Sequence, residues 1–142
     1  MTEPCPICAK HRGGGPLACP EVWSDDQVVV THRAEPDLLG YLFVEPRRHV
    51  AGLDELTEAE ALAIARTVWL AAKALRAEFD AESVHTFVAG RSAAKVHFHQ
   101  HVFVRHRDTP AGHGWLDVDW PGAPHGEPGA LCGRLRTYFS RP

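Results

Sequence analysis

Short apolar runs alternate with polar turns between residues 20 and 104. Short runs rich in Val, Phe and Tyr, bounded by turn residues, are typical of β-strands. The first two runs flank the turn Ser24-Asp25-Asp26 and predict a hairpin, and the third stops at Pro46 because proline cannot donate within a central strand. The five predicted strands lie around Val22-Trp23, around Val28-Val29-Val30, and over residues 40–44, 83–89 and 95–104.

The period changes after the third predicted strand. Apolar residues recur every three or four positions from Ile64 to Phe79, and this spacing predicts an amphipathic helix over residues 58–79. Thr57 and Glu60 match a capping box, which marks where the helix begins. Antiparallel strands with one segregated long helix favour an α+β fold whose sheet has about five strands.

The chain after the last predicted strand has a different composition. Residues 106–128 are rich in Gly, Pro and Trp and predict an ordered but irregular wrap, which Gly129 to Tyr138 follow as a short helix. The length of 142 residues suits a single domain over 1–142, with residues 106–142 as a C-terminal extension.

Composition narrows the classes of function. The apolar fraction is 44% and the charged fraction is 23%, as in a globular protein with a core. A net charge of −3 argues against a nucleic-acid partner. No apolar run approaches the roughly 18–20 residues of a membrane span, so we expect no membrane insertion. The N-terminus lacks the segments of a signal peptide, so we expect a cytoplasmic protein with reduced cysteines.

Three histidines, His97, His99 and His101, occupy alternate positions of the fifth predicted strand. Side chains alternate faces along a strand, so the three imidazoles are expected on one face, roughly 6–7 Å apart. The apolar residues between and after them then face a core. Imidazole titrates near neutral pH, binds metals and acts as a nucleophile, so this row is the main candidate for chemistry.

Local spacing leaves three interpretations of the histidine row open. One is a cluster on a solvated strand face, which is more common in a chain with ten histidines. Another is a three-histidine catalytic zinc site with an open position for water. The third is a histidine nucleophile whose neighbours orient it and protonate a leaving group.

Cys5 and Cys8 form a CxxC pair in a segment, residues 1–20, that is predicted to be an irregular loop. A closed zinc site needs four ligands, and since the chain has no second CxxC, histidines must supply the rest if zinc binds. A redox pair and a pair without function are the alternatives, although a redox pair usually begins a helix after a strand. Cys19 and Cys132 are expected to be free thiols.

The segment His97-Phe98-His99-Gln100-His101-Val102-Phe103 resembles the motif of the histidine triad (HIT) superfamily, His-φ-His-φ-His-φ-φ with φ apolar. Residues 40–49, Gly-Tyr-Leu-Phe-Val-Glu-Pro-Arg-Arg-His, are similar to the family's Gly-His, apolar run and Pro-Lys-x-His segment. The CxxC pair looks like the N-terminal clip of the family's zinc-binding bacterial type. The resemblance covers about residues 4–105, which form the expected HIT-like core of the domain.

This resemblance implies a nucleotide hydrolase or nucleotidyl transferase. His99 is then the nucleophile that attacks the α-phosphorus of a nucleoside phosphate ester, anhydride or phosphoramidate and forms a nucleotidyl-histidine. His101 is expected to donate to phosphate oxygens or to the leaving group. Family members commonly form homodimers, so a second copy is the expected protein partner. The family's structural zinc ligands correspond to Cys5, Cys8, His49 and His97.

Four positions depart from the family's pattern, and one of them is Gln100, which replaces an apolar residue of the motif. Arg33 stands where an aspartate commonly holds the ribose hydroxyls, although Glu35 or Asp37 could replace it. Tyr41 stands where a histidine follows the glycine, and Ala93 where a glutamine contacts phosphate. These departures motivate an alternative function, a non-catalytic nucleotide-binding or regulatory module.

Two residues of the predicted glycine turn, Arg91 and Ser92, are candidate phosphate contacts through guanidinium, hydroxyl and backbone N–H groups. Trp115 and Trp120 are expected to be structural, with a lid or base-stacking role as the alternative. The candidate substrate-binding residues are Arg33, Tyr41, Arg91 and Ser92. The histidines at positions 11, 32, 106, 113 and 125 are expected on the surface.

Overall fold

A computed structural model describes residues 5–34, 37–89 and 96–140. In this part of the chain, a five-stranded antiparallel sheet carries one long helix and two shorter ones. The elements in chain order are α1 (Pro6–His11), β1 (Glu21–Ser24), β2 (Val28–His32), β3 (Tyr41–Pro46), a 3-10 turn (Leu53–Glu55), α2 (Glu58–Glu78), β4 (Ala81–Phe87), β5 (Gln100–His106) and α3 (Gly129–Phe139).

The strand order is β1-β2-β3-β5-β4, and all neighbouring strands are antiparallel, which confirms the predicted α+β class. β1 and β2 form the predicted hairpin. The register places Tyr41 opposite Phe103, and Phe43 opposite His101. On the other side of β5, Phe87 lies opposite His101. The position of β5 between β3 and β4 therefore surrounds His101 with aromatic side chains from distant parts of the chain.

The predicted capping box of α2 is present. The Thr57 hydroxyl accepts from the Glu60 amide at 3.1 Å, and the Glu60 carboxylate accepts from the Thr57 amide at 2.9 Å. The helix ends at Glu78, one residue earlier than predicted, because the backbone of Phe79 is extended. No helix in the described chain is both long and apolar enough to span a membrane.

The main hydrophobic core lies between α2 and one face of the sheet. Alternate residues of β3 and β5, such as Leu42 and Val102, are fully buried there. α3 joins the same core, since Leu135 is fully buried and Phe139 stacks on Trp23 with ring centroids 5.7 Å apart. The last helix of the predicted extension therefore contributes to the central packing, where each buried large apolar side chain is worth roughly 1.5–3 kcal/mol.

The opposite face of the sheet carries a smaller cluster. Tyr41 and Phe103 pack there with Leu38, and the irregular segment after β5 adds Val118 and Ala123. Residues 107–128 form no helix or strand. An isolated β-bridge joins His125 of this segment to Leu38. The predicted irregular wrap is thus present and covers part of the sheet beside the histidine region.

The fifth strand begins later than predicted, at Gln100 instead of residue 95. Continuing the β3–β5 register would place Phe98 opposite Pro46, and proline has no N–H to donate to the ladder. The Phe98 amide donates instead to the Val50 carbonyl at 2.7 Å. His97 therefore lies before the strand, outside the regular ladder.

The prediction that His32 lies on the surface is wrong. His32 is 1% exposed, its Nε2 accepts from the Gly40 amide at 3.0 Å, and its Nδ1–H donates to the Arg33 carbonyl at 2.8 Å. Burial lowers the pKa of His32, so the ring stays neutral. The prediction that His106 lies on the surface is also wrong, because its exposed fraction is 7%.

Gly40, whose amide donates to His32, has a backbone φ of +86° and faces the Phe79 ring, so any larger residue would be strained there.

Candidate functional site

The four predicted metal ligands lie together. Cys5 and Cys8 are at the start of α1, His49 follows β3, and His97 precedes β5. Their candidate donor atoms all lie within 4.8 Å of one another. Nδ1 of His97 is 3.6 Å from Sγ of Cys5 and 3.5 Å from Sγ of Cys8. Nδ1 of His49 is 3.7 Å from Sγ of Cys8. These residues are up to 92 positions apart in the sequence, and the fold gathers them into one cluster.

These separations fit a tetrahedral zinc ion. Zinc–sulfur bonds of about 2.3 Å and zinc–nitrogen bonds of about 2.0–2.1 Å give sulfur–nitrogen edges of about 3.6 Å. Nε2–H of His97 donates to the Pro46 carbonyl at 2.7 Å, so Nδ1 keeps its lone pair for a metal. Burial lowers the pKa of His97 to about 4, which keeps the imidazole neutral. Two thiols and two imidazoles form a donor set typical of closed, structural zinc sites.

The segment that holds the CxxC pair is helical, not an irregular loop as predicted. Cys5 is the N-cap of α1, and its Sγ accepts from the Cys8 amide at 3.4 Å. A helix start also suits a redox pair, but reactive thiols there have a lowered pKa. Burial raises the pKa of Cys8, and the adjacent Cys5 adds to this. The raised pKa argues against a redox pair, and the two nearby imidazoles favour metal binding.

One ring nitrogen of His99 has a defined hydrogen-bond partner. Its Nδ1 is 2.9 Å from the backbone carbonyl of His97. A carbonyl oxygen only accepts, so Nδ1 carries a proton, and in the neutral form of the ring Nε2 keeps its lone pair. His99 lines a cleft of about 470 Å³ together with His101. An imidazole oriented in this way is suited to attack an electrophile bound in the cleft.

His101 is the immediate neighbour of His99, with ring centroids 5.0 Å apart. Phe87 stacks on its ring at 4.2 Å, and its Nδ1 is 2.8 Å from the hydroxyl oxygen of Tyr41. Burial lowers the pKa of His101 to about 4, and a positive charge on His99, when protonated, or on Arg33 lowers it further. His101 is therefore neutral at pH 7 and can donate only from the one nitrogen that holds its proton.

A metal site made of all three histidines is not supported. Within residues 5–34, 37–89 and 96–140, one group of three or more candidate ligands is compact enough to share an ion, and His99 and His101 are not members of it. Nδ1 of His99 and Nδ1 of His101 each already have a hydrogen-bond partner. The row is divided between a cysteine–histidine cluster and a pair of histidines in the cleft.

The cleft lies between the N-terminal segment and the sheet. Ile7, Pro16 and Leu17 line it from the N-terminal side, and Phe43 and Glu45 of β3 line it from the sheet. The apolar side chains offer a surface for a flat ring, and the histidines adjoin it. This arrangement is typical of small-molecule sites, which are concave and mostly apolar with a few polar groups.

A buried ion pair at the sheet side of the cleft was not predicted from the sequence. Nζ of Lys10 lies 2.8 Å from a carboxylate oxygen of Glu45, with side chains 4% and 1% exposed. Nζ also donates to the Thr31 hydroxyl at 3.1 Å, and Nε2–H of His11 donates to the other Glu45 oxygen at 3.1 Å. Burial alone would raise the pKa of Glu45, but His11 and Lys10 hold it below its usual value.

The signal for this pair was the single acidic residue inside the apolar run of β3. A buried charge must be paired, so Glu45 required a cation nearby. His11, expected on the surface, is one of its partners and has a side chain that is 7% exposed. The network joins α1 to the sheet, so the helix that carries Cys5 and Cys8 also forms one wall of the cleft.

The predicted substrate-binding residues have different placements. Arg33 lines the cleft, and its guanidinium carbon lies 4.8 Å from the centroid of the Tyr41 ring. Tyr41 is buried beside His101 instead of lining the cleft. Arg91 and Ser92 lie outside the described residues, as do residues 35 and 93.

The fold and the site together define a small α+β protein with a histidine-lined cleft beside a cysteine–histidine cluster. The chain belongs to the HIT family: the model of the HIT domain matches residues 19–108, well over half of its length. This confirms the resemblance of the histidine motif. No curated protein matched the sequence.

Solved structures share the fold. A HIT family protein from Bacillus subtilis is 24% identical, with a TM-score of 0.64 over 75% of this chain and 76% of that one. A zinc-bound histidine triad protein from Mycobacterium smegmatis is 17% identical, with a TM-score of 0.71 over 96% and 93%. A hypothetical histidine triad nucleotide-binding protein from Sulfolobus tokodaii is 21% identical, with a TM-score of 0.68 over 94% and 91%.

Proposed function

We propose that this protein hydrolyses or transfers nucleoside phosphates through a covalent intermediate on His99. The observation that carries this proposal is the hydrogen bond from Nδ1–H of His99 to the His97 carbonyl, which leaves Nε2 as a free nucleophile beside the cleft. Membership of the HIT family supports it, and so does the fold shared with the Sulfolobus tokodaii protein, which is described as nucleotide-binding.

The reaction has two displacements at the α-phosphorus. First, Nε2 of His99 attacks, a P–N bond forms, and the bond from phosphorus to the leaving group breaks. The leaving group departs with the electron pair of that bond and takes its proton from solvent, while the N–H of the neutral His101 ring donates a hydrogen bond to it. Second, water attacks the same phosphorus and loses a proton to solvent, the P–N bond breaks, and Nε2 of His99 is released with its lone pair. Hydrolysis gives a nucleoside monophosphate, and an acceptor other than water would give transfer.

The binding roles follow the placement of the cleft residues. Arg33 is proposed to hold the nucleotide from the cleft wall, where an aspartate commonly grips the ribose in this family. Arg91 and Ser92 are proposed phosphate contacts, and Tyr41 contributes to the site from behind His101. The ring of the base would lie against the apolar side chains of the N-terminal segment and Phe43.

Cys5, Cys8, His49 and His97 are proposed to hold a structural zinc ion. Their donor distances fit a tetrahedron, and the Mycobacterium smegmatis relative in fold is described as zinc-bound. When bound, the ion would cross-link the start of α1 to the segments that flank β3 and β5. The role of the chain's own residues is to fix the segment of His97, whose carbonyl orients His99.

The test is turnover of nucleoside phosphoramidates and dinucleoside polyphosphates by the wild-type protein and by His99→Asn. We expect release of nucleoside monophosphate by the wild type and none above background by the variant, with zinc content and thermal stability unchanged. Equal turnover by His99→Asn would reject the proposed nucleophile. Tight binding of nucleotide without turnover by the wild type would identify the alternative, a non-catalytic nucleotide-binding module, which the arginine at position 33 motivates.

We propose further that the protein is a cytoplasmic homodimer. An exposed apolar face of α2 supports a second copy as partner, since Leu62 is 65% and Trp69 is 57% exposed. Light scattering should give twice the chain mass for the wild type and the chain mass for Trp69→Glu. A monomeric wild type at micromolar concentration would reject the dimer.

A further inference from the structure

We propose that Tyr41 is a positioning residue that determines which ring nitrogen of His101 carries the proton. In this arrangement the Tyr41 hydroxyl donates to Nδ1 of His101, so the proton of the neutral imidazole resides on Nε2. The inference deepens the proposed function and rests on it, because Nε2–H is the group that would donate a hydrogen bond to the leaving group.

The Tyr41 side chain is held in one position. It is 7% exposed, and Phe103 stacks on its ring with centroids 4.9 Å apart and planes inclined by 5°. The guanidinium carbon of Arg33 lies 4.8 Å from the same ring centroid. The Tyr41 backbone carbonyl also accepts from the Arg33 amide at 2.9 Å. A phenol confined by these contacts keeps its hydroxyl in a fixed place relative to β5.

The direction of the hydrogen bond follows from the polar groups that must be satisfied. Oη of Tyr41 and Nδ1 of His101 are 2.8 Å apart, and a phenol and an imidazole can each donate or accept. Within the described residues, the Tyr41 hydroxyl has His101 as its hydrogen-bond partner. If Nδ1–H donated, the phenol proton would have no acceptor among residues 5–34, 37–89 and 96–140, which is unfavourable in a buried setting. With the phenol as donor, both groups are satisfied.

The result is a pair of neighbouring imidazoles in opposite tautomers. His99 has its proton on Nδ1, bonded to the His97 carbonyl, and a lone pair on Nε2. His101 has its lone pair on Nδ1 and its proton on Nε2, and stacking on Phe87 restrains its ring. One ring can attack phosphorus while the other donates a hydrogen bond to the leaving group.

The test uses the zinc-loaded, full-length protein labelled with ¹⁵N-histidine. Long-range ¹H–¹⁵N correlation spectra at pH 7 distinguish the two neutral tautomers, and the His101 signals are assigned by their loss in His101→Gln. We expect His101 to show an unprotonated Nδ1 and a protonated Nε2 in the wild type. A wild-type spectrum with the proton on Nδ1 would overturn the proposal, whatever the activity of the protein.

Tyr41→Phe removes the donor while keeping the ring. We expect the His101 signals to shift towards a mixture of tautomers, kcat to fall by about tenfold, and KM to change little, because one neutral hydrogen bond is lost. Tyr138→Phe is the matched control, since Tyr138 is the other tyrosine of the chain and lies on α3 beside Glu78. Its kcat and its His101 spectrum should match the wild type.

Two outcomes for Tyr41→Phe would contradict the proposal. One is an unchanged His101 tautomer, and the other is a changed tautomer with unchanged kcat. These results are independent of the nucleophile assignment: if His99→Asn retains turnover, the proposed function fails while the tautomer of His101 is still measured in the wild-type spectrum. Failure of the positioning role and failure of the proposed function are therefore distinguishable.

Discussion

His97 and His101 belong to the same sequence motif but differ in their hydrogen-bond partners and in their access to the cleft. His97 is 2% exposed, its Nε2 donates to a backbone carbonyl, and its Nδ1 faces two thiols. His101 is half-buried, lines the cleft and is hydrogen-bonded to a phenol. Both rings are neutral at pH 7, because burial lowers the pKa of each to about 4. Their roles are therefore separated by hydrogen-bond partners and access to the cleft, not by charge.

His99 connects the two regions. Its ring belongs to the cleft, but its Nδ1–H is bonded to the carbonyl of His97. The cysteine–histidine cluster can thus influence the orientation of the His99 ring through the backbone. Variants of the two regions should therefore separate metal content from turnover.

Replacing His99 with Ala should reduce turnover by about 10⁴-fold or more, because the covalent pathway loses its nucleophile. Metal analysis should still give one zinc per chain, since His99 is outside the cluster. The measurement is steady-state turnover together with zinc content on the same preparation. Loss of zinc in His99→Ala would show that the two regions are not separate.

Replacing Cys8 with Ser should produce the opposite pattern. Zinc should fall from one per chain towards zero, and the melting temperature should fall because a closed metal site contributes folding free energy. Turnover should fall as well, through displacement of His97 and its carbonyl. The matched control is Cys19→Ser, a cysteine outside the cluster, which should retain its zinc. A Cys8→Ser protein with full zinc content would contradict the assigned ligands.

The Lys10–Glu45 ion pair joins α1, which adjoins both regions, to the sheet. Glu45→Leu alone should destabilise the protein by about 3–5 kcal/mol, because it leaves the Lys10 ammonium buried and unpaired. The double variant Lys10→Met/Glu45→Leu should recover much of that loss in urea unfolding. A double variant as unstable as the single one would show that the pair itself, not the unpaired charge, provides the stability.

The buried neutral histidines predict how stability depends on pH. Burial lowers the pKa of His32, His101 and His106 below the ordinary value of 6.5. The unfolded chain then binds more protons than the native state below pH 6.5, so stability rises with pH in that range. The free energy of unfolding should be level above pH 6.5 and should fall as the pH approaches 4.

His32→Leu provides the matching variant. It removes one titrating group, so the decline between pH 6.5 and 4 should be shallower. It also leaves the Gly40 amide and Arg33 carbonyl without their partner, at a cost of about 1–3 kcal/mol at pH 7. The measurement is urea unfolding of both proteins across the pH series. An unchanged slope would mean that His32 does not titrate differently on folding.

The elements that the sequence predicted well depend on local pattern. The β1–β2 hairpin and the capping box at Thr57 are set by neighbouring residues, and both are present. The start of β5 could not be predicted from local alternation, because it depends on Pro46, about fifty positions earlier in the chain. Long-range register, not local propensity, ends that ladder.

The candidate site, like the fold, was predictable where a sequence motif carried the signal and not where tertiary packing decided the contact. Cys5, Cys8, His49 and His97 were placed by resemblance to a family motif, and the structure brings them together. The hydrogen bond between Tyr41 and His101 could not be predicted, since it depends on the β3–β5 register. Glu45 was visible as a charge within an apolar strand, but its partners in α1 come from tertiary packing.

The central claim, that His99 forms the covalent intermediate, is tested most directly by trapping the intermediate. The protein is mixed with substrate and quenched in alkaline denaturant, and the tryptic peptide of residues 96–105, which holds all three histidines, is mapped by fragmentation mass spectrometry. We predict one nucleoside monophosphate group on His99 in the wild type and none in His99→Asn. A nucleotidyl group on His97 or His101, or turnover by His99→Asn without any adduct, would contradict the account.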